Sequence, residues 1–396
     1  MNIDKNVLKR AEALSSRLVA IRRALHRHPE IGFEEFETAE LVRATLEQIG
    51  ITCRSGVGRT GVVAEIGQGR PVIALRADMD ALPISERTGL PFASEVPGMM
   101  HACGHDAHTA ALLGAAMLLK EMTLPAGTVR LLFQPAEETG DEEGKSGADR
   151  MVEAGAMRGV DAVLGLHNVV DQPVGTVLVS AGPILAATDM FEMIIHGQAS
   201  HGAYPHRGID AIVLAAQVVN AIQSIVARRI DPMETGVVTV GTISGGRKAN
   251  IIADRVELTG TLRSFDPAVR RQILEGLEDA ARLTKWQGGD YELRIVKGHP
   301  ATINNAGMAR LVRKTAEGFG LRVGDEKPSP VSEDFSLLSQ LAPGAYFLVG
   351  AALDDGVPRQ AHTATFDLNE RVLPIAAAML AEVARQYLLE GGLSQL

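Results

Sequence analysis

The hydrophobic pattern of this 396-residue chain switches twice, near residues 185 and 298, and that double switch limits its fold more than any other feature. Before the first switch, short apolar runs at 61–67, 71–77, 128–135 and 160–167 read as strands, several buried on both faces. Helical periodicity at 106–122 and 147–155 separates them, and helices over 5–27 and 37–49 precede them, the second ended by Gly50. Strands alternating with helices require an α/β domain with a mostly parallel sheet. Between the switches the order is different. A half-exposed strand at 187–196 is followed by a helix at 208–228, strands at 236–243 and 254–263, a helix at 267–285 and a strand at 290–296. This β-α-β-β-α-β order is ferredoxin-like and closes a small domain by itself. The α/β character then returns with a helix at 305–319, a strand at 344–349 and a helix at 370–389. The expected architecture is α/β: residues 1–184 and 298–396 build one mixed, mostly parallel sheet domain, and residues 185–297 form an inserted domain.

Composition narrows the function class. Hydrophobic residues make up 46% and charged residues 22%, an ordinary globular balance with enough apolar side chains for a large core. The net charge is −9 and no long basic run occurs, so nucleic acid is not an expected partner. The N-terminal thirty residues are charged throughout, and apolar stretches such as 110–119 are too short to span a bilayer; a soluble cytoplasmic protein is expected. Two cysteines, Cys53 and Cys103, make no disulfide framework.

The stretch 101-HACGHDAH-108 crowds metal-ligand types into one loop ahead of an apolar helix. Cys103 and His105 lie two apart across Gly104, which allows a tight turn, and thiolate with imidazole suits a borderline divalent cation. Further donors stand at the carboxyl ends of expected strands, the edge where open α/β sheets bind ligands. Glu137 and Glu138 follow the strand closed by Pro135, His167 ends another, and Asp78 and Asp80 follow a third. His362 sits in a polar loop before the last helix. Cys103, His105, Glu138, His167 and His362 suffice for two metal ions with a bridging group. Glu137 is then free as general base for a metal-activated water, and Asp80 can orient a ligand histidine. Zinc, cobalt or nickel suit thiolate and imidazole, and carboxylate tolerates manganese; manganese and zinc are the first choices.

These residues resemble the aminoacylase and carboxypeptidase G-type di-metal amidohydrolases, in the branch of hippurate hydrolases and auxin-conjugate hydrolases. The similarity runs nearly the whole length, through 22-RRALHRHPEIGFEE-35, 75-LRADMDALPI-84, 98-GMMHACGHDAHTA-110, 133-FQPAEE-138, 166-LH-167, 200-SHGAYPHRGIDAI-212, 250-NIIAD-254 and 332-SEDFS-336. It implies the inserted-domain architecture, a homodimer through the small domain or a homotetramer, metal ligands at Cys103, His105, Glu138, His167 and His362, and Glu137 as base. It also implies His201 as an oxyanion stabiliser, in some members from the partner subunit, and Asn250 with Arg263 on the substrate's free carboxylate. The expected reaction is hydrolysis of the amide bond of an N-acyl amino acid such as hippurate. Ile251, Ile252 and Ala253 replace the usual V-I-P, Thr363-Ala364 stands for Ser-Pro, and the loop 139–151 is unusually acidic. These departures touch the rim and remove no ligand. The competing readings are a peptidase or N-acyl-diaminopimelate deacylase of the same family, and a non-catalytic metal-binding module. A closed structural zinc site would not set a spare carboxylate beside its ligands, as Glu137 stands beside Glu138.

Overall fold

A computed structural model describes residues 3–393. Its first helices are α1 (Lys5–Ala13), α2 (Ser15–Arg27) and α3 (Phe36–Gln48), followed by β1 (Cys53–Val57), β2 (Gly61–Gln68) and β3 (Val72–Asp78). Next come α4 (His105–Glu121), β4 (Gly127–Gln134), α5 (Gly147–Glu153), β5 (Ala162–Pro173), β6 (Thr176–Leu178), β7 (Gly182–Leu185) and β8 (Ala187–His196). The chain continues with α6 (Ala211–Arg229), β9 (Gly236–Gly245), β10 (Arg255–Ser264), α7 (Pro267–Trp286), β11 (Asp290–Lys297) and β12 (Thr302–Asn304). It closes with α8 (Ala306–Gly318), β13 (Arg322–Gly324), α9 (Phe335–Ser339), β14 (Gly344–Ala352) and α10 (Val372–Leu389). Two compact units result. One holds the residues up to Gly182, Ile303–Lys327 and those from Asp334 on; the other holds Pro183–Thr302 and Pro328–Glu333.

The first unit is built on an eight-stranded mixed sheet in the order β1-β2-β4-β3-β5-β14-β6-β13. Its centre, β4-β3-β5-β14, is parallel. All seven residues of β3 are buried, the continuous run expected of a strand covered on both faces. Helix α4 is buried from His105 to Leu119 and packs on α2 and α10; it is apolar all round because it has no solvent side. Truncating a fully buried side chain there, Leu112 for instance, costs about 2–5 kcal/mol. Helix α10 is long and apolar enough to span a membrane, yet most of it is buried inside this unit, as a core helix is.

The second unit carries a four-stranded antiparallel sheet in the order β11-β8-β10-β9. Helices α6 and α7 supply the other half of its core. Asp210 and Asp266 start these helices by accepting from the amides of Ile212 and Val213, and of Ala268 and Val269. α6 also passes the membrane-length test, but Leu214, Ala215, Val218, Ile222 and Ile225 form a one-sided buried stripe. The inserted β-α-β-β-α-β pattern is therefore the observed one.

Three local expectations change. The helix read as continuous over 5–27 breaks at Leu14, where the Ser15 hydroxyl donates to the Glu12 carbonyl at 2.6 Å and diverts it from the helical ladder. The strands β1, β6, β12 and β13 and the helix α9 are too short to show a period of their own. The strand carrying His167 does not end there: β5 runs on to Pro173.

Candidate metal centre

Two strand ends, the start of a helix, the middle of β5 and one loop of the first unit bring the donors together. β3 ends at Asp78, with Asp80 on the next turn. β4 ends at Gln134; after Pro135, Ala136 takes φ 44° and swings the chain toward Glu137 and Glu138. Gly104 is the N-cap of α4 at φ 93°, a left-handed conformation that lets Cys103 and His105 face one point from either side of it. His362 is also left-handed, at φ 61°, and its amide donates to the Ala102 carbonyl at 2.8 Å, which ties its loop to the same turn.

Cys103, His105 and His167 form one set of donor atoms within 4.8 Å of one another; Cys103, Glu138 and His362 form a second, and His105, Glu137 and Glu138 a third. Cys103 Sγ lies 3.3 Å from His167 Nε2. Glu138 Oε1 lies 3.0 Å from His362 Nε2 and 4.0 Å from His105 Nε2. That oxygen is buried with the His362 imidazole as its near partner, and a buried carboxylate calls for a positive charge beside it. His167 donates from Nδ1 to the Asn168 carbonyl at 2.7 Å, so Nε2 carries the free lone pair. His105 donates from Nδ1 to the Asp80 carbonyl at 2.9 Å, with Asp80 Oδ1 at 3.1 Å, which aims its Nε2 at the cluster. The other oxygen of Asp80 accepts from the Glu138 amide at 2.9 Å. Asp80 thus fixes two donors at once.

Charge supports the same chemistry. Burial holds His167 down to about 3, a neutral imidazole suited to donating a lone pair. Burial pushes the Cys103 thiol up to about 12, so a thiolate here needs a cation beside it. Burial opposes a charge on His105, but Asp78, Cys103 and Asp80 outweigh it and raise its affinity for a proton. That proton and a divalent ion compete for one lone pair. The thiol, imidazole and carboxylate donors fit divalent cations.

Behind these donors lies a buried layer, of which the sequence singles out only Asp78 as a candidate donor. His108 donates to Asp78 at 2.6 Å and accepts from the Asn168 amide at 3.0 Å, holding β5 beside His167. Asp78 also pairs with Arg76 at 2.6 Å, and Arg76 reaches Gln134 and Asp334. Asp106, one residue after a donor, accepts from Arg22 and His26, each at 2.8 Å. The crowding of histidines in 101–108 and Asp78 at the end of β3 are the sequence signals for this layer.

The three remaining candidates belong to the second unit. His201 is exposed, accepts from the Ala203 amide at 3.1 Å and bridges to Ile251. Asn250 is exposed, and its carbonyl takes the Gly202 amide at 2.8 Å. Arg263 is half-buried and donates to Thr188 and to the Leu262 carbonyl. Arg255 pairs with His196 at one end of β8, and Arg263 with Thr188 at the other. The Asn250 loop is tied to the His196 end, where the Gly197 amide donates to Asp254. About 26 Å of strand separates those ends, so Asn250 and Arg263 do not meet within one chain.

Residues 74–386 match the model of the Peptidase family M20/M25/M40. The chain is 43% identical over 382 residues to N-acetyl-L-cysteine deacetylase of Bacillus subtilis, covering 95% of this chain and 89% of that one. It is 39% identical to the IAA-amino acid hydrolase ILR1-like 2 of Arabidopsis thaliana, over 94% of this chain and 85% of that one. The crystal structure of the Bacillus subtilis YXEP protein, described as a dinuclear metal binding peptidase, superposes with a TM-score of 0.84 at 36% identity, over 96% of this chain and 99% of that one. With a family match spanning most of its length and relatives this close, the chain belongs to the M20/M25/M40 peptidase family.

Proposed function

We propose that the protein hydrolyses the amide bond of N-acyl amino acids, hippurate-type substrates among them, to a carboxylic acid and a free amino acid. The observation that carries this reading is the convergence of Cys103, His105, Glu138, His167 and His362 around a buried carboxylate oxygen, with Glu137 alongside. The deacetylase and the IAA-amino acid hydrolase it resembles are both named for cleaving a group from an amino acid, which supports an acyl amino acid over a longer peptide.

Two divalent ions, manganese or zinc first, bound by these five residues would polarise the scissile carbonyl and acidify a water. The Glu137 carboxylate accepts the proton of the attacking water and returns it to the departing nitrogen. His105 and His167 keep their Nε2 lone pairs turned inward through the hydrogen bonds on their Nδ1 atoms. His201 donates to the oxygen that gains charge at the tetrahedral centre, and Asn250 and Arg263 take the substrate's carboxylate. Because the last two do not meet within one chain, a homodimer supplies one from each copy. The second unit is the inserted domain that makes the contact: β9 is a sheet edge with Val237 and Ile243 exposed, and α6 exposes Ile212 and Val213.

The test is turnover of N-acetyl and N-benzoyl amino acids by the metal-loaded enzyme, before and after a strong chelator. Activity disappears on chelation and returns with manganese or zinc. Glu137→Gln retains both ions by mass spectrometry while kcat drops about 10²–10⁴-fold. Full turnover in chelator rules the mechanism out.

A further inference from the structure

The turn presenting Glu137 and Glu138 sits in a conformation its own residues disfavour. Ala136 is fully buried at φ 44°, and left-handed backbone costs a residue with a Cβ about 1–2 kcal/mol. Such strain persists only where the surroundings over-determine it. Its carbonyl accepts from the Gly147 amide at 2.8 Å, where a side chain on Gly147 would strike the Pro135 carbonyl. Its amide donates to Glu35 Oε1 at 2.7 Å, a bond spanning 101 residues of sequence. Glu35 has no exposed surface, and its second oxygen accepts from the Thr60 hydroxyl at 2.5 Å. Arg59, the neighbour of Thr60, turns to Asp141 and Glu142 instead. Burying a carboxyl against two neutral donors is expensive, and it is more than packing against α3 requires. Burial, with Asp80 adding to it, pushes Glu35 up to about 7, a measure of that expense.

We propose that Glu35 is a positioning residue for the general base: its carboxyl pins the Ala136 amide, holds the left-handed turn, and so aims the Glu137 carboxylate into the donor cluster. The inference rests on Glu137 acting as base in the proposed reaction. Either protonation state of Glu35 serves, since both oxygens of the acid remain acceptors for an amide or a hydroxyl.

The test compares variants of the metal-loaded enzyme on an N-acyl amino acid. Glu35→Leu lowers kcat about 10–100-fold, the penalty for an ångström-scale misplacement, with KM within about 2-fold and both ions retained. Glu35→Gln keeps an acceptor for Ala136 and a donor for Thr60, and recovers most of that loss. Ala136→Gly placed in the Glu35→Leu chain recovers part of it, because glycine holds φ 44° without strain. If the leucine variant does not fold, Glu35→Asp, one methylene short, takes its place with the same expected losses and rescues. A wild-type kcat in the folded leucine or aspartate variant, or a loss that neither Gln nor Gly relieves, overturns the proposal. Hydrogen–deuterium exchange across 132–140 reads the clamp without turnover: it accelerates in Glu35→Leu and reverts in Glu35→Gln, and unchanged exchange overturns it. The functional reading fails on a different result, a wild-type enzyme with no metal-dependent amide hydrolysis.

Discussion

Cys103, His105 and Glu138 each belong to more than one donor set, so the sets overlap on a thiol, an imidazole and a carboxylate. Around them the division of labour is set by single hydrogen bonds. Asp80 binds both His105 Nδ1 and the Glu138 amide, so Asp80→Ala releases one donor and loosens another. Metal affinity is expected to fall about 10–100-fold in a competition titration against a chromogenic chelator. An unchanged affinity would mean that His105 is aimed by its contact with the Asp80 backbone carbonyl alone. The donors were legible in sequence because cysteine, histidine and paired glutamates are conspicuous when they follow apolar runs. Glu35 and His108 were not. An acid just before a helix reads as a solvated first turn, and a histidine three residues past a donor reads as part of the helix. What makes them special is burial and a partner far along the chain, neither of which has a local signature.

Helix α4 turns those residues into a fixed array. It begins on Gly104 in a left-handed conformation, so Gly104→Ala imposes about 1–2 kcal/mol of strain at the junction of two donors. A denaturation midpoint lowered by that amount, together with partial metal loss, is the expected outcome; unaltered stability and metal content would show that the turn relaxes freely. The same helix is anchored to α2 through Asp106, which takes Arg22 and His26 in a fully buried cluster. Burial opposes the charge on His26, but the hydrogen bonds to Asp106 and Glu86 outweigh it and raise its pKa from 6.5 to about 9. A histidine raised in the folded state stabilises fully below its unfolded value of 6.5 and loses that contribution as pH climbs through 9, on the order of 3 kcal/mol. Urea titrations across that window, in the wild type and in His26→Gln, check the sign: the wild-type stability declines more steeply with pH, and parallel curves refute the linkage.

For the whole molecule, the decisive geometry is the length of β10. With Arg263 at one end and the Asn250 loop at the other, one substrate carboxylate meets both only if two copies contribute. The active species is expected to have twice the 42.1 kDa mass of one chain by light scattering. Val237→Asp with Ile243→Asp on the exposed edge β9 should give monomers whose kcat/KM is lower by about 10–100-fold, the worth of a lost hydrogen bond to a charged group. A fully active monomer would exclude a shared site. The α/β class, the inserted β-α-β-β-α-β unit and the candidate donors can be read from local sequence, because strand and helix periods and ligand chemistry are properties of neighbouring residues. Three facts come from packing alone: the donor sets overlap on Cys103, His105 and Glu138, Glu35 reaches Ala136 across 101 residues, and Asn250 and Arg263 stand apart. These are distances between points far separated along the chain, and they exist only once the core has packed and set the strand ends in place.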